Sequence, residues 1–443
     1  MKHHEHRGVS LGTIIMVVLT AAVLCACAGI LPKLMGSANI RMDATTMLSA
    51  LNLTEALPAL ALSDIPINDV TAVPDMTASP IPTHTPAPTA APPTASPTPQ
   101  PGGTLTLTIG GSVDIDDTIR KSAYYSDSKK YDFTDILAPL QGEMQSDLTI
   151  LSLDNLTDAS SKVSALNAPE SVMDMLEIAG VDMVALGFSK AYDKGIGSLQ
   201  ATINAAADRG LTTIGAYASK EDADMRRTLT INNVQIAFLH YADNISSTSK
   251  KNIKNDGTAY LIPMTDADVI NADIAAVREA GADIVVVFVN WGSSSFKVSA
   301  KVKTLAQQIA DAGADVIVGT GTPSVQTVTW LTGKRADGSI RQTLCAWSMG
   351  SLVNGERNDG NVAGMLLQLQ LSYDGASVNF ERVSYTPTYI WRFKQDGQYQ
   401  YRVTASDREP PDGMNSDHVK YMEKALKNIQ KVLADSPVTL RDE

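Results

Sequence analysis

The chain has 443 residues, 44% of them hydrophobic, which is enough apolar surface for one large domain or two modest ones. A formal charge of −12 argues against nucleic acid as a partner, because that binding needs clustered Lys and Arg to displace counterions. No nucleic-acid partner is expected.

Between Arg7 and Lys33 lie 25 uncharged residues, 8–32, reading GVSLGTIIMVVLTAAVLCACAGILP. At about 1.5 Å per residue they are long enough to cross a hydrocarbon core of roughly 30 Å. This stretch is read as a transmembrane signal anchor. Lys2 and Arg7 precede it, so residues 1–7 are expected in the cytoplasm and the main domain outside the cell. Two other readings compete: a signal peptide cleaved near ACA, and a lipoprotein box with Cys27 as acceptor, the protein then being secreted or lipid-anchored. Only Cys345 lies beyond the apolar segment, so an exported domain has no internal disulfide. In the stretch QTLCAWSM, Cys345 reads as a small buried residue rather than a nucleophile.

Residues 33–70 form a membrane-proximal segment with no firm pattern. Residues 71–103 are a Pro/Thr/Ala-rich disordered linker, and 71–102 hold ten of the 21 prolines. Such a tract has too few apolar side chains to fold and stays extended, reaching on the order of 100 Å at about 3.1 Å per residue. It would lift a domain away from the membrane.

Folded sequence begins at residue 104. In GTLTLTIGGSVDI, Leu105, Leu107 and Ile109 alternate with threonines as a first strand, which Gly110 and Gly111 are expected to end. One module then recurs in MLEIAGVDMVAL (175–186), VREAGADIVVVF (277–288) and IADAGADVIVGT (309–320). Each is the end of an amphipathic helix, a Gly suited to a left-handed cap, an Asp, and an apolar strand. The repetition predicts an α/β fold with a sheet covered on its faces. LTILSLDNL (148–156) and TLCAWSMGSLV (343–353) read as two more strands. RTLTINNVQIAFLHYA reads as a hairpin turning at Asn232 and Asn233, and MLLQLQLSYDGASVNFERVSY as another turning near Asp374 and Gly375. Residues 406–443 end in a helix whose apolar face carries Val419, Met422, Leu426, Ile429 and Val432.

In such sheets the loops leaving the carboxyl ends of the strands form the ligand crevice. Here those loops are GFSKAYDKG, NWGSSSF and GTGTPSVQ, together with the exits LDNL and MGSLV. In their order they resemble the capsule-synthesis CapA family of the calcineurin-like metallophosphatase superfamily. The resemblance runs from about Thr104 to Tyr389 within a domain 104–405, and it implies a four-layer α/β/β/α sandwich and an envelope-polymer role of the poly-γ-glutamate type.

The family's loops carry Asp, Asn, Glu and His side chains that hold metal ions or touch substrate. At those positions the resemblance places Ser112 in IGGSVDI, Ser152 and Asp154 in LSLDNL, and Ser189 and Lys190 in GFSKAYDKG. It places Asn290 and Ser294 in NWGSSSF, with the family's Trp kept between them as Trp291, and Gly321 in GTGTPSVQ and Ser351 in WSMGSLV. The frame is kept and the ligand types are changed. Counting residues agrees: of six histidines only His240 lies among the core strands, where it reads as a hydrogen-bonded structural residue. No metal site or cofactor is therefore expected; a single Mg²⁺ or Ca²⁺ held by the remaining acids is the alternative.

The sequence thus predicts a membrane-anchored, non-catalytic CapA-like protein that binds or scaffolds. Its expected partners are the membrane, an envelope polymer or sugar, and capsule-synthesis proteins. Asp154 and Asp193 are the weak catalytic candidates if an acidic site has been rebuilt into a hydrolase or transferase. A third reading has the C-terminal helix dock a partner enzyme.

Overall fold

The computed structural model describes residues 102–292, 297–334, 338–358, 360–375 and 377–441. The expected signal anchor, the membrane-proximal segment and nearly all of the linker lie outside the described residues, as does Ser294. Among the described residues no helix is long and apolar enough to cross a membrane.

Two sheets carry the fold. The larger has the order β16 (Gln398–Ala405), β15 (Val378–Gln395), β14 (Ala363–Tyr373), β1 (Gly103–Val113), β4 (Leu148–Leu153), β5 (Met183–Ala185) and β6 (Thr212–Ile214). Beside this path β13 (Ser351–Val353) pairs with β1, and β17 (Thr439–Leu440) with β15. The second sheet has the order β11 (Val328–Lys334), β12 (Ile340–Ala346), β10 (Val316–Thr320), β9 (Ile284–Asn290), β8 (Val234–Ala242) and β7 (Arg227–Ile231). A small ribbon joins β2 (Tyr124–Tyr125) to β3 (Lys130–Tyr131).

Side-chain alternation sorts the apolar residues into layers. In β9, Ile284, Val286 and Phe288 join Leu105, Leu107 and Ile109 of β1 in a core between the two sheets. Val285, Val287 and Val289 face the other way, onto α7 (Ala267–Glu279) and α8 (Ala300–Ala312). The outer face of the larger sheet packs on α1 (Asp117–Ser122), α2 (Thr134–Leu137), α3 (Ser171–Ile178) and α4 (Gly195–Ala207). The layers are helix, sheet, sheet, helix. Burying one such Val, Ile or Leu contributes about 1.5–3 kcal/mol, so these three apolar layers are the main source of stability. Two short helices, α5 (Lys220–Asp224) and α6 (Ser247–Asp256), lie in the connections. The last helix, α9 (Ser416–Val432), buries Met422, Ala425 and Ile429 in the inter-sheet core. Its apolar face is therefore spent on its own domain, and its Lys-rich face is exposed.

The repeated module folds as its sequence indicates. Gly180, Gly281 and Gly313 all have positive φ, and the Asp two residues later binds the neighbouring strand. Asp182 accepts from Thr149 N (2.8 Å), Asp283 from Gln235 N (2.8 Å) and Asp315 from Val285 N (2.8 Å). These carboxylates satisfy the N–H of the second residue of an adjacent parallel strand, at the edge opposite the crevice.

Two expectations fail in an instructive way. Gly110 and Gly111 do not end β1, which runs on to Val113 through a register shift between Ile109 and Ser112 against β4. A Cβ on Gly110 would lie 2.2 Å from Leu151 Cδ2 and one on Gly111 2.3 Å from Gly350 O, so the glycines mark close approach rather than a turn. The shift also reverses the alternation: Val113 turns to the helices, leaving Ser112 and Asp114 on the inter-sheet side. The stretch TLCAWSMGSLV is likewise not one strand. It leaves the smaller sheet after β12 and enters the larger one as β13, crossing at Gly350 (φ 70°).

Candidate functional site

At the carboxyl ends of the strands the inter-sheet core turns polar. On the face occupied by Leu148 and Ile150 of β4 come Ser152 and Asp154, and on that of Ile236 and Phe238 of β8 comes His240. Asn290 follows Phe288 on β9, and Ser351 opens β13 next to Ser112. Ser112, Ser152, Asn290 and Ser351 are buried, and Ser112 Oγ lies 3.4 Å from Ser351 Oγ. Asn290 packs its amide on Gly321 (φ 79°), where a Cβ would come within 2.7 Å of Oδ1. Serine hydroxyls and one amide thus replace carboxylates and imidazoles in the centre.

Two acids flank this cluster. The Asp154 carboxyl is pushed up to about 7 by burial and by the neighbouring charge of Asp114. Asp114 itself is raised to about 6, first by burial and then by Asp116, while Lys190 opposes the rise and Glu356 adds to it. Backbone pairing holds the two side by side: Asp154 N donates to Val113 O (2.9 Å) and Asp114 N to Val353 O (2.8 Å). Asn155, fully buried, fixes the same corner by accepting from Ile115 N (2.7 Å) and donating to Ala165 O (2.9 Å). Asp114, two residues after the shifted Ser112, joins the site through that register shift.

Other candidates lie elsewhere or do other work. Asp193 accepts from Ser249 Oγ (2.7 Å) and from Ser246 Oγ, closing the N-terminus of α6 rather than facing Asp154. Trp291 points into the cluster under α7 and α8, donates from Nε1 to Trp347 O (3.1 Å) and stands 5.7 Å from the Trp347 ring. It is a packing residue, not a crevice wall. Ser189 is partly buried, its carbonyl accepting from Ser246 N (2.8 Å), and Lys190 is exposed beside the crevice. Asp116 caps α1 and accepts from Gly355 N (2.9 Å). Asp158 accepts from the hydroxyls of Ser160, Ser161 and Ser198, which hold its carboxyl well below the usual range. Cys345 is buried among apolar neighbours, its thiol pushed up by burial.

His240 departs from the expected hydrogen-bonded role. It is buried, its Nδ1 has no partner among the described residues, and burial lowers it to about 3, so the ring stays neutral. Gly187 and Gly215 clamp it: a Cβ on either would come within 2.0 Å and 2.4 Å of the ring. Ser152 Oγ is similarly buried without a partner.

A dinuclear centre needs several oxygen and imidazole donors around ions about 3.5–4 Å apart. Among the described residues no group of three or more His, Cys, Asp or Glu side chains is placed to hold a metal ion. The hydroxyls of Ser112, Ser152 and Ser351 are weak neutral donors, and the Lys190 ammonium beside Asp114 opposes a cation there. This donor set does not fit the family's metal pair.

The matching region of the capsule biosynthesis protein CapA of Bacillus anthracis is 28% identical over 158 residues, covering 35% of this chain and 38% of that relative's length. Among solved structures, the NAD nucleotidase NadN of Haemophilus influenzae is similar at a TM-score of 0.39 and 11% identity, over 77% of this chain and 58% of that one. The calcineurin-like phosphoesterase YfkN from Bacillus subtilis is similar at a TM-score of 0.38 and 12% identity, over 75% and 99%. The family model described as bacterial capsule synthesis protein PGA_cap matches residues 106–356, and the chain belongs to that family.

Proposed function

We propose that this protein is a CapA-like domain of the metallophosphatase superfamily that binds or scaffolds in envelope-polymer synthesis and has lost metal-dependent hydrolysis. The observation that carries this reading is the crevice centre itself, where Ser112, Ser152, Asn290 and Ser351 stand in place of charged and imidazole ligands. The apolar stretch 8–32 and the proline-rich tract after it support attachment to the outer face of the membrane, with the domain held off on a stalk. A polymer of the poly-γ-glutamate type is the partner suggested by the family.

A second reading is a metal-free hydrolase or transferase built on Asp154 and Asp114. It is favoured by one observation, the raised carboxyls of that adjoining pair, since acids poised near neutral pH suit proton transfer. Incubating the intact protein with envelope polymer, with and without chelator, separates the two. The binding reading predicts retention of polymer and no cleavage. Cleavage that resists chelator and disappears in Asp154→Asn would replace it with the second reading.

A further inference from the structure

A second concave site lies beyond the crevice, where α9 crosses β15. Its cavity of about 380 Å³ is lined by Arg357, Tyr389, Arg392, His418, Tyr421 and Lys424, with no carboxylate among the described lining residues. In a chain of net charge −12 such a concentration of cations is a local exception. Among the described residues neither Arg357 nor Arg392 makes an ion pair. Arg357 donates to Ile390 O (3.1 Å), and the Arg392 guanidinium stacks 4.6 Å from the Tyr399 ring centre. Both are thereby oriented, with no carboxylate paired to them among the described residues.

The remaining groups form a donor relay. The buried Tyr389 hydroxyl lies 3.0 Å from His418 Nδ1. In the tautomer whose Nδ1 accepts from this hydroxyl, the imidazole hydrogen sits on Nε2 as a further donor. Burial and then the fields of Arg357 and Arg392 hold His418 below its usual range, in keeping with a neutral ring. His418 and Tyr421 belong to the first turns of the 17-residue α9, whose positive end adds to the field.

We propose that this pocket is an oxyanion-binding subsite for a ligand bearing carboxylate or phosphate groups, gripped by Arg357 and Arg392 with His418 and Lys424 beside them. Guanidinium groups suit these planar or tetrahedral anions because they present paired donors in a fixed fork. The subsite shares a wall with the crevice: the loop after β13 places Gly355 on Asp116, Glu356 near Asp114 and Arg357 in the pocket. A ligand held here would extend toward the Asp114–Asp154 pair.

The test is calorimetric titration of the intact protein with inorganic phosphate, with a short glutamate oligomer and with a glutamine oligomer of equal length, at low and high salt. Saturable, salt-sensitive binding of phosphate or of the glutamate oligomer, with none for glutamine, is expected, and the preferred probe identifies the anion source. Arg357→Gln combined with Arg392→Gln should weaken binding at least about tenfold. In case that pair disturbs folding, Lys424→Gln on the exposed helix face should weaken it less, and the His418 ring resonances of the unaltered protein should shift as probe is added. Absence of binding by both anions, or binding that the double variant retains with a normal unfolding transition, would overturn the subsite.

Discussion

Asp114 and Asp154 directly follow Val113 and Leu153, the last paired residues of two neighbouring parallel strands, and the charge of Asp114 helps to hold the proton on Asp154. The geometry follows from the register shift in β1, which turns Ser112 and Asp114 toward the face where Ser152 and Asp154 already point. A destabilising feature is thereby built into the crevice, because two adjacent half-buried carboxyls must both ionise at high pH.

That pair predicts a pH dependence. Asp154 holds its proton to about 7 in the folded chain, against about 3.9 unfolded, so the folded state binds more protons between those values. Stability from this group is therefore highest below about pH 4 and falls as pH rises toward 7. Asp154→Asn should flatten this slope and stabilise the protein at pH 8 by roughly 1–3 kcal/mol, measured by urea unfolding at pH 5 and pH 8. An unchanged slope would contradict the buried-carboxyl assignment.

His240 works in the opposite direction. Its folded value near 3 lies below the usual 6.5, so the unfolded state takes up the proton first and stability is lost as pH falls from about 6.5 to 3. His240→Gln should remove this acid-side loss while leaving the Asp154 slope in place. Acid unfolding curves of the two variants and their combination separate the contributions.

The glycine clamp on His240 predicts coupling. Gly187→Ala puts a methyl group into the ring and should cost about 2 kcal/mol or more. Combined with His240→Ala, which opens that space, the added cost should largely vanish in a double-mutant cycle. Additive losses would mean that the glycine is required for some other reason.

Trp291 and Asp193 should behave as structural residues. Trp291→Ala should cost about 3–5 kcal/mol by emptying the cluster it shares with Trp347. Asp193→Ala should cost about 1–2 kcal/mol by releasing Ser246 and Ser249 at the start of α6. Neither should change polymer retention in protein that remains folded, and a selective loss of retention would return that residue to the binding surface.

Local chemistry made part of the fold legible. The Gly-x-Asp module fixed three helix ends and three strand starts, and Asn232 and Asn233 adopt the left-handed turn their types favour. A third hairpin, between β15 and β16, was overlooked although Asp396 and Gly397 mark it. The shift at Gly110–Gly111 was not legible, because these glycines answer to Leu151 and Gly350, which are distant in sequence. The same reason hid the cationic pocket: Arg357, Arg392 and His418 come from three separate segments, and only the packing of α9 on β15 assembles them.

The central claim concerns metal, and elemental analysis of the intact protein after equilibration with Mn²⁺, Zn²⁺ and Mg²⁺ tests it most directly, with a thermal shift recorded for each ion. A crevice of serine hydroxyls and one amide beside Lys190 predicts no stoichiometric metal and no stabilisation. One or two tightly held ions per chain, lost on replacing Asp114 and Asp154 with Asn, would contradict the account and show that these acids have rebuilt a centre.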